Sequence, residues 1–208
     1  MGAALRPEPD APVSEASRVL KDLQVARTGL VKERTRLRNR GQTQGNRVLK
    51  RQTKTRLALV ERQIKELDAE IAKRIAEDAS MARKRKILRS IPGLGQVASA
   101  AILTFLPELG TMGRKQVGSL AGLAPHTRES GQWKGKSFIS GGRKPLRDAL
   151  YMPALVAMRF NPDLKAKYTA LRAAGKPAKV AIVALMRKLL ETANALVKAD
   201  RLWVEKAP

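Results

Sequence analysis

The chain has 208 residues, enough for one hydrophobic core and one accessory element, and its 43% hydrophobic content argues against disorder. Its 42 Lys and Arg residues against 18 Asp and Glu residues give a formal net charge of +24, which is typical of proteins that neutralise nucleic-acid phosphates. Only 3% of the residues are aromatic, no cysteine is present and there is one histidine, which disfavours single-strand stacking and excludes disulfide frameworks and Cys/His zinc sites.

Two long amphipathic helices are predicted in residues 14–83. The proline-rich segment 1–13 cannot start a helix and is predicted to be a flexible N-terminal remnant. Ser14 is the predicted N-cap, and leucines then recur every seven residues at Leu23, Leu30 and Leu37. A second apolar stripe follows in steps of three and four, at Leu57, Val60, Ile64, Leu67 and Ile71. The pattern predicts two coiled-coil arms, joined at 41–46 by a hairpin turn or extended for dimerisation with another copy.

The region between these stripes carries a concentrated positive charge. Between Glu33 and Glu61 there are basic residues and no acid. Solvated helix faces usually mix both signs of charge, so this basic tip is predicted to contact nucleic acid. It comprises Arg34, Arg36, Arg38, Arg40, Arg47, Lys50, Arg51, Lys54 and Arg56.

From residue 84 onward the pattern changes to shorter helices, and a domain boundary is predicted near Arg83. Residues 91–101, IPGLGQVASAA, resemble the turn and second helix of a helix-hairpin-helix. Pro92 and Gly93 reverse the chain, and Gly95 would let a phosphate approach the free N–H groups of the next helix. An ordinary turn between two core helices is the alternative. Further helices are predicted at 113–121, at 145–160 with a kink at Pro153, at 162–174 and at 178–199, the last being the core helix.

Ser130 is the candidate nucleophile. It lies in a polar, glycine-rich loop, beside Glu129 and Gly131, where its hydroxyl can be exposed on a turn. A turn serine that caps its own backbone is the alternative. Basic residues that can attract a phosphodiester accompany it: Arg114, Lys115, Arg128, Lys134, Lys136, Arg143, Lys144 and Arg147.

Other reactive side chains after residue 84 are predicted to have structural roles. His126 is predicted to be a surface or loop-packing residue, Ser140 a helix cap and Tyr151 a core residue. The acids after residue 86 are scattered, with no paired spacing suited to magnesium, so no metal site is predicted within the chain.

Several motifs in a fixed order resemble one family. The coiled-coil pair is followed by ILRSIPGLGQVASAAIL, GSLAGLAPHTRESG, KGKSFISGGRKPLRDALYMPALVAM and GKPAKVAIVALMRKLLETANALV. This order resembles the C-terminal domain of insertion-sequence transposases related to the Piv invertases, a family whose recombination is guided by a bridge RNA. The resemblance covers roughly residues 14–200.

The resemblance implies a role for one residue and the absence of a domain. Ser130 of RESG matches the family's reactive serine. The family also has an N-terminal RNase-H-like domain, whose acidic residues hold Mg²⁺, and this domain is expected to be missing here. The chain therefore resembles part of a transposase, with DNA and a structured guide RNA as expected partners, and a homo-oligomer expected through the coiled coil.

The sequence thus predicts an all-α protein: an antiparallel coiled-coil hairpin, then a compact helical transposase domain over 84–208 that contains the helix-hairpin-helix and the serine loop. The expected function is DNA cleavage and exchange through Ser130. The alternatives are a non-catalytic nucleic-acid-binding module, which would inhibit full-length copies, and a structural coiled-coil adaptor, which the charge disfavours. With no signal peptide or membrane span, a location in the bacterial cytoplasm, associated with the nucleoid, is expected.

Overall fold

The computed structural model describes residues 14–127, 129–130, 133–135 and 137–205. These residues form a mostly helical chain, which confirms the predicted all-α class. The helices are α1 Glu15–Thr43, α2 Arg47–Glu77, α3 Ala79–Ser90, α4 Gln96–Phe105, α5 Arg114–Leu120, α6 Lys144–Phe160, α7 Pro162–Ala173 and α8 Ala178–Lys198. Two-residue strands between α5 and α6 are β1 Pro125–His126, β2 Glu129–Ser130, β3 Trp133–Lys134 and β4 Phe138–Ile139. The predicted N-terminal remnant, 1–13, lies outside the described residues.

The chain divides into two compact units within α2, between Leu67 and Asp68. The boundary predicted near Arg83 marks a change of residue pattern, whereas the two compact units are separated by their backbone contacts. No helix within the described ranges is both long and apolar enough to span a membrane.

In the first unit, capping side chains set the ends of the two helices. Ser14 Oγ accepts a hydrogen bond from the Ser17 N–H at 3.2 Å, as its predicted role as N-cap requires. Asn46 Oδ1 accepts from the Val48 N–H at 2.8 Å at the start of α2. The connection between the helices is only residues 44–46, because α1 continues through most of the predicted 41–46 link.

Moving away from this connection, the residues of α1 that contact α2 decrease in number while their partners in α2 increase in number. Thr53 Oγ1 donates to Gln44 Oε1 at 2.8 Å, and farther from the turn Arg38 Nη2 lies 2.7 Å from Glu61 Oε1. The two helices also share an apolar cluster. It consists of Leu37, Val60 and Ile64, with Leu30, Val31 and Leu57 packed against them. The two helices of this unit are thus antiparallel neighbours. That α1 and α2 form a supercoiled coiled coil, and that copies of the chain associate through it, stay predictions.

The second unit is built around α8. This helix packs against α3, α5, α6 and α7, and α4 packs against α3 and α6. Leu185, Leu189 and Leu190 of α8 are fully buried, as predicted for the core helix. Val180 is an exception: it belongs to the predicted core helix but is 51% exposed, because it lies in the first turn, before the most heavily buried part of the helix.

Proline and asparagine mark the helix boundaries in this unit as predicted. Pro145 lies in the first turn of α6, and Asn161 Oδ1 accepts from the Leu164 N–H at 3.1 Å to cap α7. Pro153 is buried within α6, which the structure records as one helix from Lys144 to Phe160. Tyr151 was predicted to be core, but it is 43% exposed because α6 buries only the face that carries Leu146, Leu150 and Ala154.

Candidate serine loop and nucleic-acid interface

Gly93, a predicted DNA contact, is a packing residue in the turn between α3 and α4. Its φ is +104°, a conformation that favours glycine. A Cβ at this position would lie 2.6 Å from Ala157 Cβ and 2.9 Å from the Pro153 carbonyl oxygen. The turn therefore lies directly against α6, and Gly93 is required for that close approach. The Cα of Gly93 thus faces protein, and the DNA contact predicted for this residue stays a prediction.

Gly95 differs from Gly93 in conformation and surroundings. It is the N-cap of α4 with a φ of −79°, and a Cβ built on it meets no atom within 4 Å. Gly95, Gln96 and Val97 are all exposed, while Ala98, Ser99 and the two following alanines are buried. The geometry leaves room for a phosphate at the first N–H groups of α4. The helix-hairpin-helix role of Gly95 in binding DNA stays a prediction.

The serine loop, residues 121–143, contains more regular structure than the sequence analysis expected. Strand β1 pairs antiparallel with β4, with His126 opposite Phe138, and β2 pairs with β3, with Ser130 opposite Trp133. Ser130 is exposed on the inner of these two ribbons. Strands two residues long carry no hydrophobic alternation, so composition alone marked this segment only as loop. Arg128 and Lys136 lie outside the described residues, as do the side chains of Glu129 and Lys134.

The two ends of the serine loop are held together by close backbone contact. Gly122 and Gly142 have φ values of +64° and +62°, and a Cβ on Gly142 would overlap the backbone of Gly122. The Arg143 N–H donates to the Leu120 carbonyl at 2.8 Å. Arg147 Nη1 donates to the carbonyls of Gly141 at 2.8 Å and Gly122 at 3.3 Å. Arg147, a predicted DNA contact, thus ties the loop ends together.

Arg143 likewise forms a bidentate ion pair rather than presenting a free guanidinium. Its Nη1 lies 2.7 Å from Glu108 Oε2 and its Nη2 lies 2.6 Å from Glu108 Oε1. Nη1 also donates to the Phe105 carbonyl at 2.9 Å. The hydrogen bonds from Arg143 lower the pKa of Glu108 from its ordinary value, against the opposing effect of burial. Arg143 thus links the start of α6 to the end of α4 and the residues after it, and the phosphate contact predicted for it stays a prediction.

Of the other basic residues predicted to bind DNA in the second unit, some form ion pairs with acids of the protein. Arg114 Nε lies 2.8 Å from Glu191 Oε2, and Lys144 Nζ lies 2.5 Å from Asp148 Oδ2. Both basic side chains are 72% exposed, so each can still face a ligand. Lys115 is exposed. Sequence reasoning missed Glu108 and Glu191, because they are separated from their basic partners by 35 and 77 residues.

Most of the basic tip is exposed to solvent. Arg38 is engaged with Glu61, and Arg34 is half-buried with its Nε enclosed and without a hydrogen-bond partner. The exposed members of the tip are Arg36, Arg38, Arg40, Arg47, Lys50, Arg51, Lys54 and Arg56.

The other reactive side chains are placed as follows. His126 is exposed, with its ring centroid 6.1 Å from that of Phe138, which agrees with a loop-packing residue. Ser140 does not cap α6: the N-cap is Arg143, and no side chain accepts a hydrogen bond there. In the described part of the chain, no three His, Cys, Asp or Glu residues are grouped so that they can hold a metal ion. These residues therefore do not fit Mg²⁺.

Comparison with known proteins places these features within a transposase-like segment. Residues 85–169, which include the α3–α4 turn and the serine loop, match the family model described as Transposase IS116/IS110/IS902 family. The chain is similar to transposases of this family.

Individual relatives show the same similarity. The pilin gene-inverting protein of Moraxella bovis is 32% identical over 142 residues, which cover 66% of this chain and 44% of that protein. An uncharacterized 43.6 kDa protein of insertion element IS110 from Streptomyces coelicolor is 30% identical over 125 residues, covering 59% of this chain and 31% of that protein. A 42 kDa protein of IS900 from Mycobacterium paratuberculosis is 32% identical over 151 residues, covering 69% and 38%. The chain thus spans less than half the length of these relatives.

Proposed function

We propose that this chain is the DNA-binding and nucleophile-bearing part of a DNA transposition or recombination protein. The observation that carries the proposal is the position of Ser130: it is exposed on a short ribbon, within the segment that matches the transposase family. The names of the relatives, transposases and a gene-inverting protein, denote rearrangement of DNA. A nucleophile that cuts and rejoins strands suits such a reaction because it retains the bond energy of the phosphodiester.

In the proposed reaction, Ser130 Oγ attacks a DNA phosphorus. An Oγ–P bond forms while one P–O bond of the strand breaks, the serine loses its proton and the departing strand oxygen gains one. Attack by the hydroxyl of a second strand then reverses these steps and releases Ser130. The close backbone contact between Gly122 and Gly142 would restrict the movement of the loop that carries Ser130 during both steps.

The chain's own residues account for binding better than for activation of the serine. A neutral serine hydroxyl is a weak nucleophile and requires an activating group. The described residues contain no cluster of three acids that could hold Mg²⁺, so the activating group is proposed to come from an acidic domain like that of the family which the chain resembles. The basic tip and Lys115 would bind phosphates of DNA and of a structured guide RNA. Association of copies through the coiled coil would bring two serines to one recombination site.

The experiment that tests the nucleophile is detection of a covalent protein–DNA adduct. The chain is combined with the acidic domain of a full-length relative, in trans or by fusion, and with a nicked DNA substrate and Mg²⁺. Ser130→Ala should abolish the adduct while retaining DNA binding, because only the attacking oxygen is removed. Ser140→Ala is the matched control, an exposed serine of the same loop, and should form the adduct normally. An adduct that persists in Ser130→Ala would overturn the assignment.

A non-catalytic nucleic-acid-binding module is the second candidate function. It is favoured by the concentration of exposed basic side chains in the basic tip, which can bind phosphates without any chemical step. Such a module would bind DNA and inhibit a full-length transposase by occupying its sites. It would form no adduct even with the acidic domain supplied, so the same assay separates the two candidates.

A further inference from the structure

Two guanidinium groups from different helices of the second unit contact one carboxylate, and the charges of two lysines act in the same cluster. Arg114 belongs to α5, Lys167 to α7, and Arg187 and Lys188 to α8. Arg114 Nε and Arg187 Nε lie 2.8 and 3.7 Å from the two carboxylate oxygens of Glu191. Among the described charged groups that act on Lys167, Glu191 is the only acid. The cluster therefore has three more positive charges than negative ones.

The framework that holds these side chains is well packed. Helix α8 packs against both α5 and α7. The stem of Arg187 lies across Gly118 of α5, where a Cβ would be 3.4 Å from Arg187 Cδ. The Glu191 side chain is only 10% exposed, so it orients the two guanidinium groups from below the surface. Arg114 is 72% exposed and lies at the open side of the cluster.

The cluster is electrostatically unfavourable without a ligand. Burial lowers the pKa of Lys167, the repulsion of Lys188, Arg187 and Arg114 lowers it further, and Glu191 opposes them. The folded protein therefore destabilises the charged ammonium of Lys167. A bound anion would offset the repulsive part of this penalty, since it would add negative charge among the basic groups.

We propose that Arg114, Lys167, Arg187 and Lys188 form a binding site for a backbone phosphate of nucleic acid. The inference rests on the proposed function in one respect, namely that the phosphate belongs to a nucleic acid. Guanidinium groups bind phosphate oxygens through paired N–H donors, and the ammonium groups add charge without fixed geometry. The site lies on helices and shares no residue with the basic tip or the serine loop.

The test compares Lys167→Gln with Lys165→Gln in the full chain. Both substitutions remove one positive charge from α7, but Lys165 is exposed and is not among the charges that shift the pKa of Lys167. In the absence of polyanions, Lys167→Gln should raise the melting temperature because it removes the repulsion, whereas Lys165→Gln should leave it unchanged. Pyrophosphate should raise the melting temperature of the wild type and of Lys165→Gln, and this shift should be at least halved in Lys167→Gln and in Lys188→Gln.

Binding to duplex DNA is measured as log K against log salt concentration. Lys167→Gln should reduce the magnitude of the slope by about 0.9, the value for one phosphate that the protein no longer neutralises. Lys165→Gln should keep the wild-type slope, and Lys167→Arg should restore it because charge and hydrogen-bond donors are retained.

Each outcome bears on one of the two proposals. An equal pyrophosphate shift in the wild type and Lys167→Gln would overturn the phosphate site. A reduced pyrophosphate shift with an unchanged DNA slope would show that the site takes a free phosphate compound, which contradicts the assignment to a nucleic-acid backbone. If the wild type bound no DNA, the proposed function would fail instead, and the pyrophosphate measurement would still decide whether the cluster binds phosphate.

Discussion

The ion pair between Arg143 and Glu108 gives a prediction that separates a structural role from a DNA contact. Replacement of Glu108 by glutamine keeps the size of the side chain but removes the charge that holds both guanidinium nitrogens. The side chains of Arg143 and Glu108 are 35% and 40% exposed, so solvent weakens the pair but does not abolish it. We expect a loss of about 1 kcal/mol, at the upper end for exposed pairs because the geometry is bidentate. For a domain of this size, that loss lowers the melting temperature by about 2–4 °C.

The matched control is Asp148→Asn, which removes the acid of the Lys144–Asp148 pair at the start of α6. That pair joins residues four apart on one helix, with side chains 72% and 59% exposed, so its loss should cost only about 0.3 kcal/mol. Thermal unfolding followed by circular dichroism measures both variants. Equal destabilisation by the two substitutions would refute the argument that Arg143 and Glu108 link α4 to α6.

The dependence of this effect on pH has a definite sign. The pKa of Glu108 is lower in the folded chain than its ordinary value of 4.5, so the ion pair contributes stability above that value. The contribution is lost as the pH falls through the folded pKa. The difference in stability between the wild type and Glu108→Gln should therefore be greatest at neutral pH and should disappear in acid. A difference that stays constant through this acid range would exclude the carboxylate as its source.

Two further predictions concern DNA binding. Charge reversal of Arg40, Arg51 and Lys54 in the basic tip should flatten the slope of log K against log salt by about 0.9 for each phosphate that the tip no longer neutralises, and an unchanged slope would remove the tip from the interface. Reversal of Arg38 alone should change it less, because Glu61 already engages that guanidinium. Gly93→Ala should cost about 3 kcal/mol of stability through the clash with α6, whereas Gly95→Val should keep the fold and weaken DNA binding. Normal DNA binding by Gly95→Val would support an ordinary turn between core helices.

The sequence predicted the helices well because their signals are local. Ser14, Pro145 and Asn161 each mark a helix start through a cap or a fixed φ that depends on only a few neighbouring residues. The core of α8 followed from its apolar residues for the same reason. Local patterns failed at Val180 and Tyr151, because their exposure depends on where neighbouring helices end and which face they cover.

The candidate site was predicted less completely, because several of its interactions join residues far apart in the chain. The contact between Gly122 and Gly142 depends on both ends of the serine loop meeting, and nothing in either glycine's neighbours indicates the partner. The sequence likewise identified Arg114 as basic but gave no sign that Glu191 would meet it, or that Lys167 would join it. Position in the fold, rather than residue type, decides which of these charges are available to a ligand.

The formal charge of +24 therefore overstates the charge that can serve for binding, and the basic residues fall into groups with different roles. Arg143 and Arg147 donate hydrogen bonds to the Glu108 carboxylate and the Gly141 carbonyl. Their loss should therefore lower stability first and should affect DNA binding only through the serine loop. Apart from Arg34 and Arg38, residues of the basic tip lie on exposed helix surface, so their loss should weaken binding without lowering the melting temperature. Lys167 belongs to neither group, since its removal should stabilise the free protein and weaken the complex. This opposition of stability and binding is expected where like charges are held together for a ligand that neutralises them.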